Sequence, residues 1–167
     1  MSEELTTRTF SGAAKAVITP PVGYPMGNWG LRQGNARGVH KDMHVRSVVF
    51  KRDEQKIAII SLEIAGLPSE TVQKIKAKIL ALAGIQPDCV LLNFTHNHTS
   101  PDTIFSLPEK WTIWTTWLTD QVAGCVSASL HRSVPANVGA ANGSFAGWTI
   151  NRQYPETPVD TEIGVMC

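Results

Sequence analysis

Residues 56–94 read KIAIISLEIAGLPSETVQKIKAKILALAGIQPDCVLLNF, and this stretch decides the fold class. Residues 56–62 are an apolar, β-branched run of strand length. Ser69 stands where a helix N-cap is expected, with Glu70 in the first turn, where the helix dipole favours a carboxylate. Val72, Ile75, Ile79 and Leu82 recur at helical spacing, and Gly84 is a natural stop. The lysines at 74, 76 and 78 read as the solvated face of this helix. Residues 89–94 form a second strand-like run. Strand, helix and strand in this order predict a βαβ unit. Loops at the carboxyl ends of such strands are where ligands usually bind.

Working outward toward the N-terminus, residues 45–51 form another strand, joined to 56–62 by Arg52-Asp53-Glu54-Gln55, which suits a hairpin turn. Residues 13–18 are a short apolar run ended by Thr19-Pro20-Pro21, because proline lacks the donor that a central strand needs. Between them, PPVGYPMGNWGLRQGNARGVH at 20–40 is rich in Gly, Pro and Asn. A loop this long inside a compact domain is commonly functional. Toward the C-terminus, residues 109–131 predict a second helix with Trp111, Trp114, Leu118, Val122 and Cys125 or Val126 on one face. That Trp-rich face reads as a buried helix face in preference to a lipid-binding surface. The expected class is therefore α/β, a mixed β-sheet with packed helices.

Composition narrows the function. The chain has 167 residues, 43% of them hydrophobic and 17% charged, enough apolar surface for a folded core. Fifteen basic residues face fourteen acidic ones, a balance that gives no footprint for nucleic acid or for a polybasic membrane patch. No apolar stretch approaches the ~20 residues that span a bilayer. MSEELTTRTF has no apolar core after a basic start, so no signal peptide is expected and the location predicted is cytoplasmic. Cys89, Cys125 and Cys167 are widely spaced and form neither a metal knuckle nor a disulfide framework. There is no GxSxG elbow, Walker loop or GxGxxG after a strand, which counts against hydrolase-elbow, nucleotide and dinucleotide chemistry.

The candidate chemistry follows the strand at 89–94, which runs into Thr95-His96-Asn97-His98-Thr99-Ser100-Pro101-Asp102. If the backbone stays extended, His96 and His98 point to one side. Such a pair can share a metal, or one ring can bind metal while the other handles a proton. Hydrogen-bonded surface histidines are the competing reading. Glu63, at the end of a strand, reads either as an outer partner of a metal-bound histidine or as a solvated carboxylate. His40 and His44 are four apart, but the strand that follows argues against a helical metal pair. Arg152, after the short apolar run at 148–150, reads as an anchor for a carbonyl or anion, or as a surface arginine.

Taken in order, the blocks AAKAVITPPVGYPMGNWG, GVHKDMHVRSVVF, KIAIISLEIAGL, VLLNFTHNHTSPD, and INRQYP with VDTEIGVM resemble the N-terminal part of the neutral/alkaline non-lysosomal ceramidase family, from about residue 13 to the end. The resemblance implies residues 1–12 as a polar arm and 13–167 as the N-terminal portion of a ceramidase-like zinc hydrolase domain that continues downstream. It implies Zn2+ as cofactor and the amide bond of ceramide, or a related N-acyl lipid, as substrate. By the same resemblance His96 is a metal ligand, His98 and Arg152 are catalytic-site residues, and Gly27 and His40 lie at the substrate. The family's THTHSGPGG reads THNHTSPDT here, with Ser100 and Asp102 in place of glycines. The family's remaining zinc ligands and its serine nucleophile lie beyond the residues matched. An active enzyme is thus expected if downstream sequence completes it. The alternative is a truncated, non-catalytic module that keeps the fold and acts by binding or self-association.

Overall fold

The computed structural model describes residues 8–27, 32, 34–103 and 109–167, with the side chains of 109–112 outside that description. Trp111 falls among these. The chain divides into two units, 1–135 and 136–167.

In the first unit, β1 (Phe10–Val17), β2 (His44–Arg52) and β3 (Gln55–Leu62) form an antiparallel meander, and β4 (Val90–Phe94) joins β3 in parallel. A two-residue strand, β5 (Val134–Pro135), closes the other edge, giving the order β4-β3-β2-β1-β5. Helix α1 (Ser69–Ala83) is the crossover between the parallel pair, and α2 (Glu109–His131) packs against α1, β1 and β2. The mixed sheet with packed helices matches the class read from residues 56–94.

Alternation along the strands sets the layers. Val45, Ser47 and Val49 of β2, and Ala58, Ile60 and Leu62 of β3, are buried. Ser47 Oγ lies 2.6 Å from Ser129 Oγ, so this face of the sheet meets α2. Trp114, Leu118, Val122, Cys125 and Val126 of α2 are buried in the same core, along the expected face. Full burial of an aliphatic side chain of this kind contributes about 1.5–3 kcal/mol. Trp114 also donates its indole N–H to the Ile18 carbonyl (3.3 Å), which satisfies its one polar atom.

Two details of α1 differ from the sequence reading. Ser69 is the first helical residue; Pro68 occupies the N-cap position and no side chain caps the helix. Pro68 holds the N-cap in non-helical backbone (φ −57°, ψ 146°), so Ser69 falls one residue inside the helix, where its hydroxyl makes no cap. Leu82 is exposed, and Ala83 is buried in its place beside Ile75 and Ile79. The helix is rotated because it must meet both the sheet and α2, where Lys78 forms an ion pair with Asp120. Gly84 closes the helix in the left-handed region, its N–H bonded to Leu80 O at 2.9 Å.

The second unit is a hairpin of β6 (Ala140–Ser144) and β7 (Glu162–Met166), with Ala140 paired to Met166 and Ser144 to Glu162. Its long connection is ordered by Asn151, whose Oδ1 accepts from the backbone N–H of Gln153 and Tyr154. Phe145 and Trp148 stack with ring centres 5.8 Å apart.

Candidate functional site

The site lies where β3 and β4 end side by side. Past Leu62, the last residue of β3, the chain bends through Glu63, Ile64 and Ala65, and past Phe94 the chain leaving β4 turns across it. The N–H of Thr95 donates to Leu62 O (3.0 Å) and that of His96 to Ile64 O (3.1 Å). His96 Nδ1 donates to Ala65 O (2.8 Å), and Asn97 Nδ2 donates to Glu63 O (2.6 Å). Four successive carbonyls of one strand end are thus taken by three successive residues of the next. Parallel pairing brings the two carboxyl ends together, which is why a ligand loop forms at this position.

His96 does not remain extended. Its φ is +54°, in the left-handed region, so the two histidines do not share a face by strand alternation. In this turned conformation both its N–H and its ring reach the bend after β3, at Ile64 O and Ala65 O. The rings of His96 and His98 nonetheless come to 5.1 Å between centres, edge to face. A carbonyl is an acceptor alone, so Nδ1 of His96 is the donor, and in the neutral ring Nε2 is then the nitrogen that bears the lone pair. A metal-bound histidine is commonly held this way by its other nitrogen.

Glu63 is not a partner of His96 or His98. Its carboxylate accepts from the N–H of His44 (2.8 Å), from His44 Nδ1 (3.2 Å) and from Arg46 (2.5 Å). Burial raises the Glu63 carboxyl, but the hydrogen bonds from Arg46 and His44 outweigh it and hold it below the ordinary carboxylate range. Glu63 and His44 therefore tie the end of β3 to the start of β2, beneath the histidine loop.

The Gly-rich segment folds back against the same loop. It makes its own narrow ladder, with Gly23 N–H to Ala36 O (2.9 Å), Ala36 N–H to Tyr24 O (2.8 Å) and Met26 N–H to Gly34 O (3.1 Å). Met26 then pairs with Pro101, and Arg32 donates to His98 O at 2.9 Å. Gly27 sits so close to Asp102 that an added Cβ would lie 2.7 Å from the Asp102 Cα. Close approach, in place of an unusual dihedral, is what requires glycine there. Between the segment and the loop lies a cavity of about 400 Å3 lined by Pro20, Val22, Met26, Arg32, His40 and Pro101 among others. His40 is exposed at this cavity.

The sequence-predicted residues are thus distributed as follows. His96, His98 and Gly27 lie on the two interlocked loops, and His40 lines the cavity beside them. Arg152 lies in the second unit, exposed in the β6–β7 connection. Asn97 and Arg32 were not singled out by the sequence. An asparagine between two histidines just past a strand was the available signal for the first; Arg32 had none.

The donor set for zinc can be tested against these residues. His96 suits a ligand role, with Nδ1 anchored to Ala65 O and Nε2 left as the ligating atom. A catalytic zinc takes three protein ligands, and among the described residues no three His, Cys, Asp or Glu side chains converge. The described residues fit one corner of such a site and do not complete it.

What the fold and loops define is an α/β domain with a histidine loop at adjoining parallel strand ends, closed over by a glycine-rich segment. Among solved structures, this fold is that of neutral ceramidase. The neutral ceramidase from Pseudomonas aeruginosa superposes with a TM-score of 0.80 over 96% of this chain, at 17% sequence identity. A second structure, described as ceramidase complexed with C2, gives 0.79 over 96% at 16% identity. The chain spans 29% and 28% of the lengths of those two proteins. No family model and no curated protein matches the sequence. No helix among the described residues is long and apolar enough to cross a membrane.

Proposed function

We propose that this chain is one part of a zinc-dependent amide hydrolase of the neutral ceramidase type, acting on ceramide or a related N-acyl lipid. The observation that carries the reading is the anchoring of His96 through Nδ1 to Ala65 O, which leaves Nε2 as the nitrogen that can take a metal. In this role His96 supplies one zinc ligand through Nε2, and the remaining ligands come from outside the described residues. Bound zinc supplies Lewis-acid polarisation of an amide carbonyl and a water acidic enough to ionise near neutral pH. His98, whose ring centre lies 5.1 Å from that of His96, holds or moves a proton at the scissile amide in this reading. His40 borders the substrate cavity, and Gly27 stands against Asp102 of the histidine loop beside it. The apolar lining of the cavity suits an acyl-bearing substrate.

A second reading is favoured by the incomplete donor set: a module that keeps the fold, binds no zinc tightly and works through association, including with its own copies. Elemental analysis of purified protein separates the two. About one zinc per chain in the wild type and none in His96→Ala supports the hydrolase reading, and N-acyl lipids are then the substrates to assay. No zinc in either protein, with the sequence that supplies the remaining ligands present, overturns it in favour of the module.

A further inference from the structure

We propose that Asn97 is a positioning residue that sets the ring orientation and tautomer of His96. The proposal deepens the reading of His96 as a ligand and rests on it for its functional meaning. Its geometry stands on the chain's own contacts. Asn97 Nδ2 donates to Glu63 O at 2.6 Å, and Oδ1 accepts from Thr99 N–H at 3.1 Å. One partner can only accept and the other can only donate, so the amide has a single orientation. The side chain thereby clamps the loop at both ends, on the strand end beneath it and on the residue after His98.

The clamp bears directly on His96. His96 has φ of +54°, a conformation that costs a non-glycine residue of order 1–3 kcal/mol and persists only where its surroundings fix it. Its N–H and its Nδ1 reach Ile64 O and Ala65 O, the carbonyls immediately following Glu63. Asn97 docks the next residue onto the intervening stretch of the same strand. With that contact in place, the left-handed turn at His96 is held and Nδ1 faces a carbonyl. Without it, the loop can relax toward extended backbone, and the ring loses its reason to protonate on Nδ1. Glu63 is itself fixed by His44 and Arg46, so the clamp bears on a rigid base. Here the resembled THTH pattern has threonine, whose single oxygen is one bond nearer the backbone.

Two variants separate the two halves of the clamp. Asn97→Asp keeps an acceptor for Thr99 N–H but cannot donate to Glu63 O when ionised. Asn97→Ala removes both contacts. The readouts are the tautomer of His96, from long-range proton–nitrogen correlation in metal-free protein, and amide exchange at His96 and Thr99. The expected result is the Nδ1–H tautomer in the wild type and loss of it in both variants. His96 N–H should exchange about fivefold faster in both, the equivalent of one ordinary hydrogen bond, and Thr99 N–H faster in Asn97→Ala alone. An unchanged tautomer and unchanged His96 protection in folded Asn97→Asp would overturn the proposal. Global unfolding of both variants would also overturn it, because a clamp on a surface loop leaves the core intact. These readouts need no zinc, so they fail or succeed independently of the zinc content that tests the hydrolase reading.

Discussion

His96 and Ala65 lie 31 residues apart in sequence, yet Nδ1 of the first donates to the carbonyl of the second at 2.8 Å. The bond exists because β3 and β4 are parallel neighbours, with Leu62 opposite Phe94 at their ends. One strand delivers the imidazole and the other delivers the acceptor. A single contact thus links the crossover topology to the state of the ring.

The interlock of the Gly-rich segment and the histidine loop makes Gly27→Ala informative. A Cβ there overlaps the Asp102 side chain and comes within 2.7 Å of its Cα, so the loops must move apart. The expected loss of stability is about 1–3 kcal/mol, the usual range for overpacking, read from urea unfolding midpoints. Thr99 and Asp102 amides should shift in nuclear magnetic resonance spectra while β1 and β2 amides stay in place. A variant as stable as the wild type, with unmoved loop signals, would refute the close approach.

Glu63→Gln tests the carboxylate beneath the loop. The folded carboxyl titrates below its ordinary value of 4.5, because the bonds from Arg46 and His44 outweigh its burial. Its contribution to stability is therefore present above that value and lost as the pH falls through the folded titration. The stability difference between wild type and Glu63→Gln should shrink on going from about pH 6 to about pH 3. Chemical denaturation across that range measures it, and a constant difference would count against the interaction.

Ile79→Ala and Leu82→Ala together define the buried face of α1. Ile79 is fully buried, and truncation should cost about 2–5 kcal/mol through the cavity it leaves. Leu82 is exposed, and its truncation should change stability by less than about 0.5 kcal/mol. Equal losses from the two variants would restore the face that the helical spacing of Val72, Ile75, Ile79 and Leu82 suggested.

Cys125 and Cys167 should differ in reactivity. Burial pushes the Cys125 thiol up despite the hydrogen bonds from Ser47, and the thiolate is the reactive form. Cys167 is exposed. An aromatic disulfide reagent at mildly alkaline pH should modify Cys167 in the native protein and reach Cys125 only on unfolding. Mass spectrometry of the labelled peptides reads the order, and rapid native labelling of Cys125 would contradict its burial.

Much of the scaffold was legible in the chain. Strand runs at 45–51 and 56–62, their four-residue turn, the stop at Gly84 and the helix at 109–131 follow from period-2 and period-3.6 apolar patterns, which are local properties. The start of α1 and the exposure of Leu82 were not legible. They depend on how the helix sits against α2 and the sheet, and a periodic pattern leaves that rotation open by the width of one residue.

For the site, the sequence by itself determined the placing of two histidines just past a strand end and of a glycine-rich segment upstream, because chain order alone puts a polar loop after an apolar run. Only the tertiary structure decided how those pieces face each other. The left-handed turn at His96, the Nδ1 proton, the partnership of Glu63 with His44 and Arg46, and the contact of Gly27 with Asp102 all join residues distant in sequence. The His96 contacts form when β4 adds in parallel beside β3, those of Glu63 when β2 pairs antiparallel with β3, and that of Gly27 when the glycine-rich segment meets the histidine loop, pairings that no local propensity encodes.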